Sequence, residues 1–126
     1  NRKDRPSSPE LEIRAAWIYW NQQRLEDVVK SLEKAQQLGG KLEVKEMALL
    51  GETYYQLKKN RAAEKIYRQL ADDPQYGVQA RYRRAQVLLR QGDQGRALNL
   101  LSRLVDEDGN SAWGKLAQDL LIQQQQ

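Results

Sequence analysis

One spacing governs what this 126-residue chain can fold into. Leu50, Gly51, Tyr54, Ala63, Tyr67 and Pro74 alternate large and small side chains at intervals that suit two helices lying against each other. Gly51, with no side chain, lets one helix approach an antiparallel partner closely, and Leu50 and Tyr54 flank that contact on the same seam. Ala63 is the matching small residue on the second helix. Tyr67, one turn further on, fills the space beyond the close approach, and Pro74 cannot continue a helix and so ends the unit.

The pattern recurs. A shift of 34 residues places Ala85 under Gly51, Leu88 under Tyr54, Ala97 under Ala63, Leu101 under Tyr67 and Leu104 under Leu70, with Gly92 where a turn between helices belongs. A shift back by 35 places Ala16 under Gly51, Tyr19 under Tyr54, Leu32 under Tyr67 and Ala35 under Leu70, with Val28 a weaker stand-in for Ala63. A fourth start follows: Trp113, Leu116, Ala117 and Leu120 read W-x-x-L-A-x-x-L, with no second helix after them. These residues resemble the tetratricopeptide repeat family, over about three and a half units from Glu10 onward. The resemblance implies an all-α fold, a right-handed α-solenoid of antiparallel helix pairs with a C-terminal capping helix. Each pair leaves an apolar face that only a stacked neighbour can bury.

Residues 1–8 read as a linker or disordered arm, polar, basic and broken by Pro6. A single repeat domain is expected over 9–126, with repeats at about 9–42, 44–77 and 78–109 and the capping helix at 111–123. Ser8 and Pro9 mark a helix start, as cap and first helical position. The first helix is expected to reach about Gln22, the second to run from Leu25 to Gln37, and Gly39 and Gly40 to stop it. A third helix is expected over Leu42 to Lys58, a fourth capped by Asn60, a fifth over Tyr76 to Gln91, a sixth capped by Asp93, and a turn over Asp106 to Asn110 before the seventh. Abundant Leu, Ala, Gln, Glu, Lys and Arg, with few β-branched residues, favour helix throughout.

The chain contains neither histidine nor cysteine. The commonest general base, the thiol nucleophile and the usual zinc ligands are therefore missing, and its five serines sit outside any nucleophile-elbow context. There is no Gly-rich phosphate loop. No catalytic residue, metal ligand or cofactor is expected, and the chain reads as no enzyme. Asp106, Asp108 and Asn110 mimic the start of a calcium loop, but Gly109 comes too early and Ala117 stands where a bidentate Glu belongs, so a structural turn is the better reading.

Function then rests on surfaces. In the family the first helix of each pair lines the concave side, and the resemblance implies a groove lined by Ile13, Trp17, Trp20 and Asn21 of the first repeat, Ala48, Glu52, Tyr55 and Gln56 of the second, and Tyr82, Gln86, Leu89 and Arg90 of the third. Large aromatics there supply contact area at low entropic cost. Packing within the array competes with ligand contact as the role of Trp17 and Trp20. The family's carboxylate clamp for chaperone tails is not reproduced: Ile13, Trp17, Leu49 and Gln79 stand at its positions, with only Arg83 in keeping.

Residues 58–103 carry eleven basic and four acidic side chains, against nine of each over residues 1–57. Arg61, Lys65 and Arg68 recur at helical spacing, as do Arg81 and Arg84. The leading reading is a non-enzymatic protein-interaction module, with a scaffold or assembly role, that takes a peptide or partner segment, an acidic one favoured, in the aromatic groove. The rivals are nucleic-acid or anionic-surface binding through 58–103, with nucleic acid the less favoured partner, and a structural spacer in a longer array. No run approaches a membrane span and no signal-like segment is visible. A chain beginning with Asn reads as a fragment or processed product, with a signal or further repeats upstream. The short, irregular repeats and the W-x-x-L-A helix are similar to bacterial envelope or assembly members of the family, which leaves periplasm and cytoplasm both open.

Overall fold

A computed structural model describes residues 6–126 of the chain. Among them lie seven helices and no strand: α1 (Pro9–Asn21), α2 (Leu25–Gln37), α3 (Val44–Gln56), α4 (Asn60–Leu70), α5 (Gly77–Arg90), α6 (Gln94–Asp108) and α7 (Ala112–Gln124). Of the arm expected over residues 1–8, residues 1–5 lie outside the described residues. Pro6 and Ser7 join no regular element, and Ser8 caps α1, its Oγ accepting from the Leu11 amide at 3.2 Å.

The helices pack as hairpins, α1 on α2, α3 on α4 and α5 on α6. Successive hairpins meet through α2–α3 and, more closely, α4–α5, and α7 lies against α5 and α6. This is an all-α solenoid of helix pairs.

Each hairpin turns in the same way. The residues Gln23, Lys58 and Gly92 sit at φ 61°, 61° and 80°. Each is followed by an extended-side cap, Arg24, Lys59 or Asp93, with ψ between 71° and 75°, and the next helix then begins. The amide of each cap donates back five residues, Arg24 to Tyr19, Lys59 to Tyr54 and Asp93 to Leu88, all at 2.9 Å. The preceding amide donates back three, Gln23 to Trp20, Lys58 to Tyr55 and Gly92 to Leu89. That double bond pattern is a Schellman turn, which satisfies the last carbonyls of the first helix while the chain reverses. The turn therefore recurs with the period of the seam, although only Gly92 advertises it.

The seam is built as its spacing requires. A methyl added at Gly51 would come to 2.9 Å from Cε1 of Tyr67 and 3.0 Å from Cγ2 of Ile66, both buried. Ala16, Ala63, Ala85, Ala97 and Ala117 are wholly buried at the equivalent contacts. Around these small residues one core runs through α1 to α5, with Leu32, Leu50, Tyr67 and Val87 among its members. A second, formed by Tyr82, Ala85, Leu101, Leu104 and Ala117, joins α5 to α6 and α7. Each fully buried leucine contributes roughly 1.5–3 kcal/mol.

Several boundaries differ from expectation, α3 ending at Gln56 rather than Lys58 among them. Asn60 is the first residue of α4 rather than its cap, because the left-handed Lys58 brings the helix start one residue earlier. The helix α3 begins at Val44 and not Leu42, the Glu46 carboxylate accepting from the Glu43 amide at 3.3 Å. The turn expected over Asp106 to Asn110 is mostly helix: α6 continues to Asp108, and the reversal falls on Gly109 to Ser111. Ser111 organises it, donating to the Asp108 carbonyl at 2.7 Å and accepting from the Gly114 amide at 2.9 Å. Among the described residues no helix is long and apolar enough to cross a membrane.

Candidate functional site

The side chains expected in the groove come from α1, α3 and α5, and the structure sorts them into two groups. On α3 and α5 they form one tightly linked constellation, with Arg83 at its centre. Its Nε and Nη2 donate to the two carboxylate oxygens of Glu52 at 3.1 and 3.4 Å, and its Nη1 donates to the Gln86 amide oxygen at 2.7 Å. The two partners of that ion pair are only 16 % and 20 % exposed, so it is shielded from water and fixes α5 on α3.

Tyr55 sits beneath two guanidinium groups, Arg83 at 4.4 Å and Arg90 at 3.7 Å from the ring centre. Arg90 also donates to the Tyr55 carbonyl at 2.8 Å. Both contacts exploit the negative face of the ring. Among the described residues no carboxylate pairs with Arg90, which is exposed. Beneath the constellation lies Tyr67, whose hydroxyl is buried and has no hydrogen-bond partner among the described residues; burial first, and then the Glu52 charge, push its ionisation well above the usual tyrosine range.

Tyr82 departs from the expectation of an open groove side chain. It is 7 % exposed, with Trp113 of α7 laid against it at 5.6 Å between ring centres and tilted by 45°. Burial raises its ionisation as well. Trp113 in turn has Arg83 over its ring at 5.5 Å. The capping helix thus reaches the Arg83 constellation, and Tyr82 supports it from within instead of presenting a free face. Neither Arg83 nor Trp113 stood among the expected groove residues. Arg83 and Arg90 lie seven apart on α5, a two-turn repeat that would have linked them.

On α1, Ile13, Trp17 and Trp20 are half-buried and pack against the larger core, while Asn21 is exposed at the helix end. Among the described residues no hydrogen bond, ion pair or cation–π contact joins them to the Arg83 constellation, although Tyr55 packs on the same core. Glu52 and Gln86 are half-buried and already bonded to Arg83, and Gln56 is exposed with its amide donating to Glu52 at 3.1 Å. Near the calcium-like triplet, Asp108 is engaged by Arg81 at 2.8 Å, within the last turn of α6 and not in a loop. Among the described residues no group of three His, Cys, Asp or Glu is placed to hold a metal.

With hairpin, seam and turn in place, two family models described as tetratricopeptide repeat match the chain, one over residues 47–72, across α3 and α4, the other over residues 79–111, across α5 and α6. The chain is a tetratricopeptide repeat protein. Tetratricopeptide repeats are in general protein–protein interaction modules and typically act as scaffolds without catalysis. The α1–α2 hairpin lies outside both matches, yet its two helices are joined by the same Schellman turn as in the other two hairpins. No curated protein matches this tetratricopeptide chain.

Proposed function

We propose that the chain holds an extended acidic segment of a partner protein along the α1–α3–α5 side, as part of a scaffold or assembly. The observation that carries this reading is Arg90, an exposed guanidinium with no carboxylate partner among the described residues, held at 3.7 Å over Tyr55. Its bond to the Tyr55 carbonyl uses one donor and leaves the rest of its fork for a partner carboxylate. Because that geometry exists before binding, little side-chain entropy is lost on capture. Glu52 neutralises Arg83, so the net attraction is concentrated at Arg90. Trp17 and Trp20, with Ile13 and Asn21 beside them, offer a second, more apolar contact one repeat away, where flanking residues of the segment would rest.

A random-peptide display selection on the whole chain tests this. Enriched peptides should carry Asp or Glu, and Tyr55→Ala or Arg90→Glu should weaken them by roughly 1 to 2 kcal/mol or more. Lys65→Glu with Arg68→Glu, on the outward helix, should change mainly the salt dependence. The opposite pattern, with the glutamate pair abolishing binding and the Tyr55 and Arg90 variants binding normally, would remove the reading.

A further inference from the structure

The side of the array away from that constellation carries three parallel stripes. On α4 stand Arg61, Lys65 and Arg68; on α5 and its C-cap, Arg84, Leu88 and Gln91; on α6, Arg96, Leu100 and Arg103, each set spaced at i, i+4 and i+7. Between the second and third stripes lies a cavity of about 170 Å³, lined by Arg84, Leu88, Arg96, Asn99, Leu100 and Arg103. That is well below the size of a pocket for a drug-sized ligand and suits one small polar group.

Arg84, half-buried, is one of its lining residues. Among the described residues its Nε, shut off from solvent, has no hydrogen-bond partner, and no carboxylate forms an ion pair with the side chain. Burial disfavours its charge first; Glu64 works in the opposite sense, and Arg68 and Arg96 add to the penalty. An arginine stays charged even so, and a buried cation donor left unpaired is costly. The other two lining arginines are tied only loosely. Arg96 meets Asp93 at 3.4 Å and Arg103 meets Glu107 at 4.0 Å, both largely solvent-exposed pairs of small worth.

We propose that this cavity binds a phosphate dianion, free or as a phosphomonoester, with Arg84 donating from α5 and Arg96, Arg103 and Asn99 from α6. A dianion answers what a single carboxylate would not: several guanidinium groups converge on one small space, and a phosphoryl oxyanion carries enough charge and acceptor oxygens to serve them together. A nucleic-acid backbone would instead spread its charges along a track. The site is independent of the concave face.

The test is a titration of the full chain with inorganic phosphate, and in a second arm with phosphoserine, at ionic strength held constant with sodium chloride. Arginine Nε–Hε resonances report the binding. The Arg84 signal should shift and saturate at one equivalent, more tightly above about pH 6, where the dianion prevails. Arg84→Gln should weaken binding about tenfold or more. Arg103→Gln, which alters an exposed side chain and leaves folding unaffected, should weaken it severalfold, and Arg61→Gln should not. Tighter binding of phosphoserine would identify an esterified phosphate as the ligand, and equal binding the free ion. Shifts that grow linearly without saturation and equally at all exposed arginines, or an Arg103→Gln variant that binds as the parent does, would overturn the proposal.

Discussion

Two kinds of residue hold each hairpin together, and they differ in how openly the sequence displays them. The seam residues are legible because steric need restricts them to Gly or Ala: Gly51 faces Tyr67 and Ile66 at contact distance, and the buried alanines recur in step with it. Gly51→Leu should overpack that contact and cost on the order of 1 to 3 kcal/mol, read as a lowered melting midpoint; an unchanged midpoint would discard the register. The turn residues are legible only once in three. Gln23 and Lys58 occupy left-handed backbone that glycine prefers, and so carry no glycine signal. Asn60 resembles a cap for the same reason, since asparagine is a common cap and Lys58 gives no hint of reversal. Lys58→Gly should relieve left-handed strain and raise stability by about 0.5 kcal/mol, whereas Gly92→Ala should cost about 1 kcal/mol. Chemical denaturation midpoints of the two variants should therefore move in opposite directions.

Helices were placed well by caps and breakers, Ser8 with Pro9, the Gly39–Gly40 pair and Asp93, and least well where a helix simply continued, as α6 does through Asp106 to Asp108. What remained hidden at this scale was how α7 reaches across. Trp113 belongs to the apolar stripe of a closing helix, and nothing in its spacing says that it meets Tyr82, a side chain expected on the open groove. Only the packing of α7 against both α5 and α6 joins them. Truncation after Gly109 should therefore do more than expose Leu101 and Leu104. It should also uncover Tyr82 and free Arg83 from the Trp113 ring. The shortened chain should associate or lose cooperativity in its thermal transition, read by sedimentation and by circular dichroism. A monomer that melts as before would separate α7 from any capping role.

The whole array is two cores sharing one helix. Ala80 and Val87 of α5 belong to the core that reaches back to α1, and Tyr82 and Ala85 of the same helix belong to the core that reaches forward to α7. In a stack of repeats each element answers mainly to its neighbours, so the ends open first and at low cost. The joint between the first two hairpins is also the sparser one, which leaves α1 and α2 the freer end. An amide in α1 is exposed by a local opening, but one in the middle of α5 exchanges only after both cores have come apart. Under native conditions the slowest hydrogen–deuterium exchange should accordingly fall on α5, about Ala80 to Leu88, with α1 and α2 exchanging well before it. The helix that bears Arg83 and Arg90 on one side and Arg84 on the other would then be the last part of the molecule to let go, keeping both sets of arginines in register while the ends breathe.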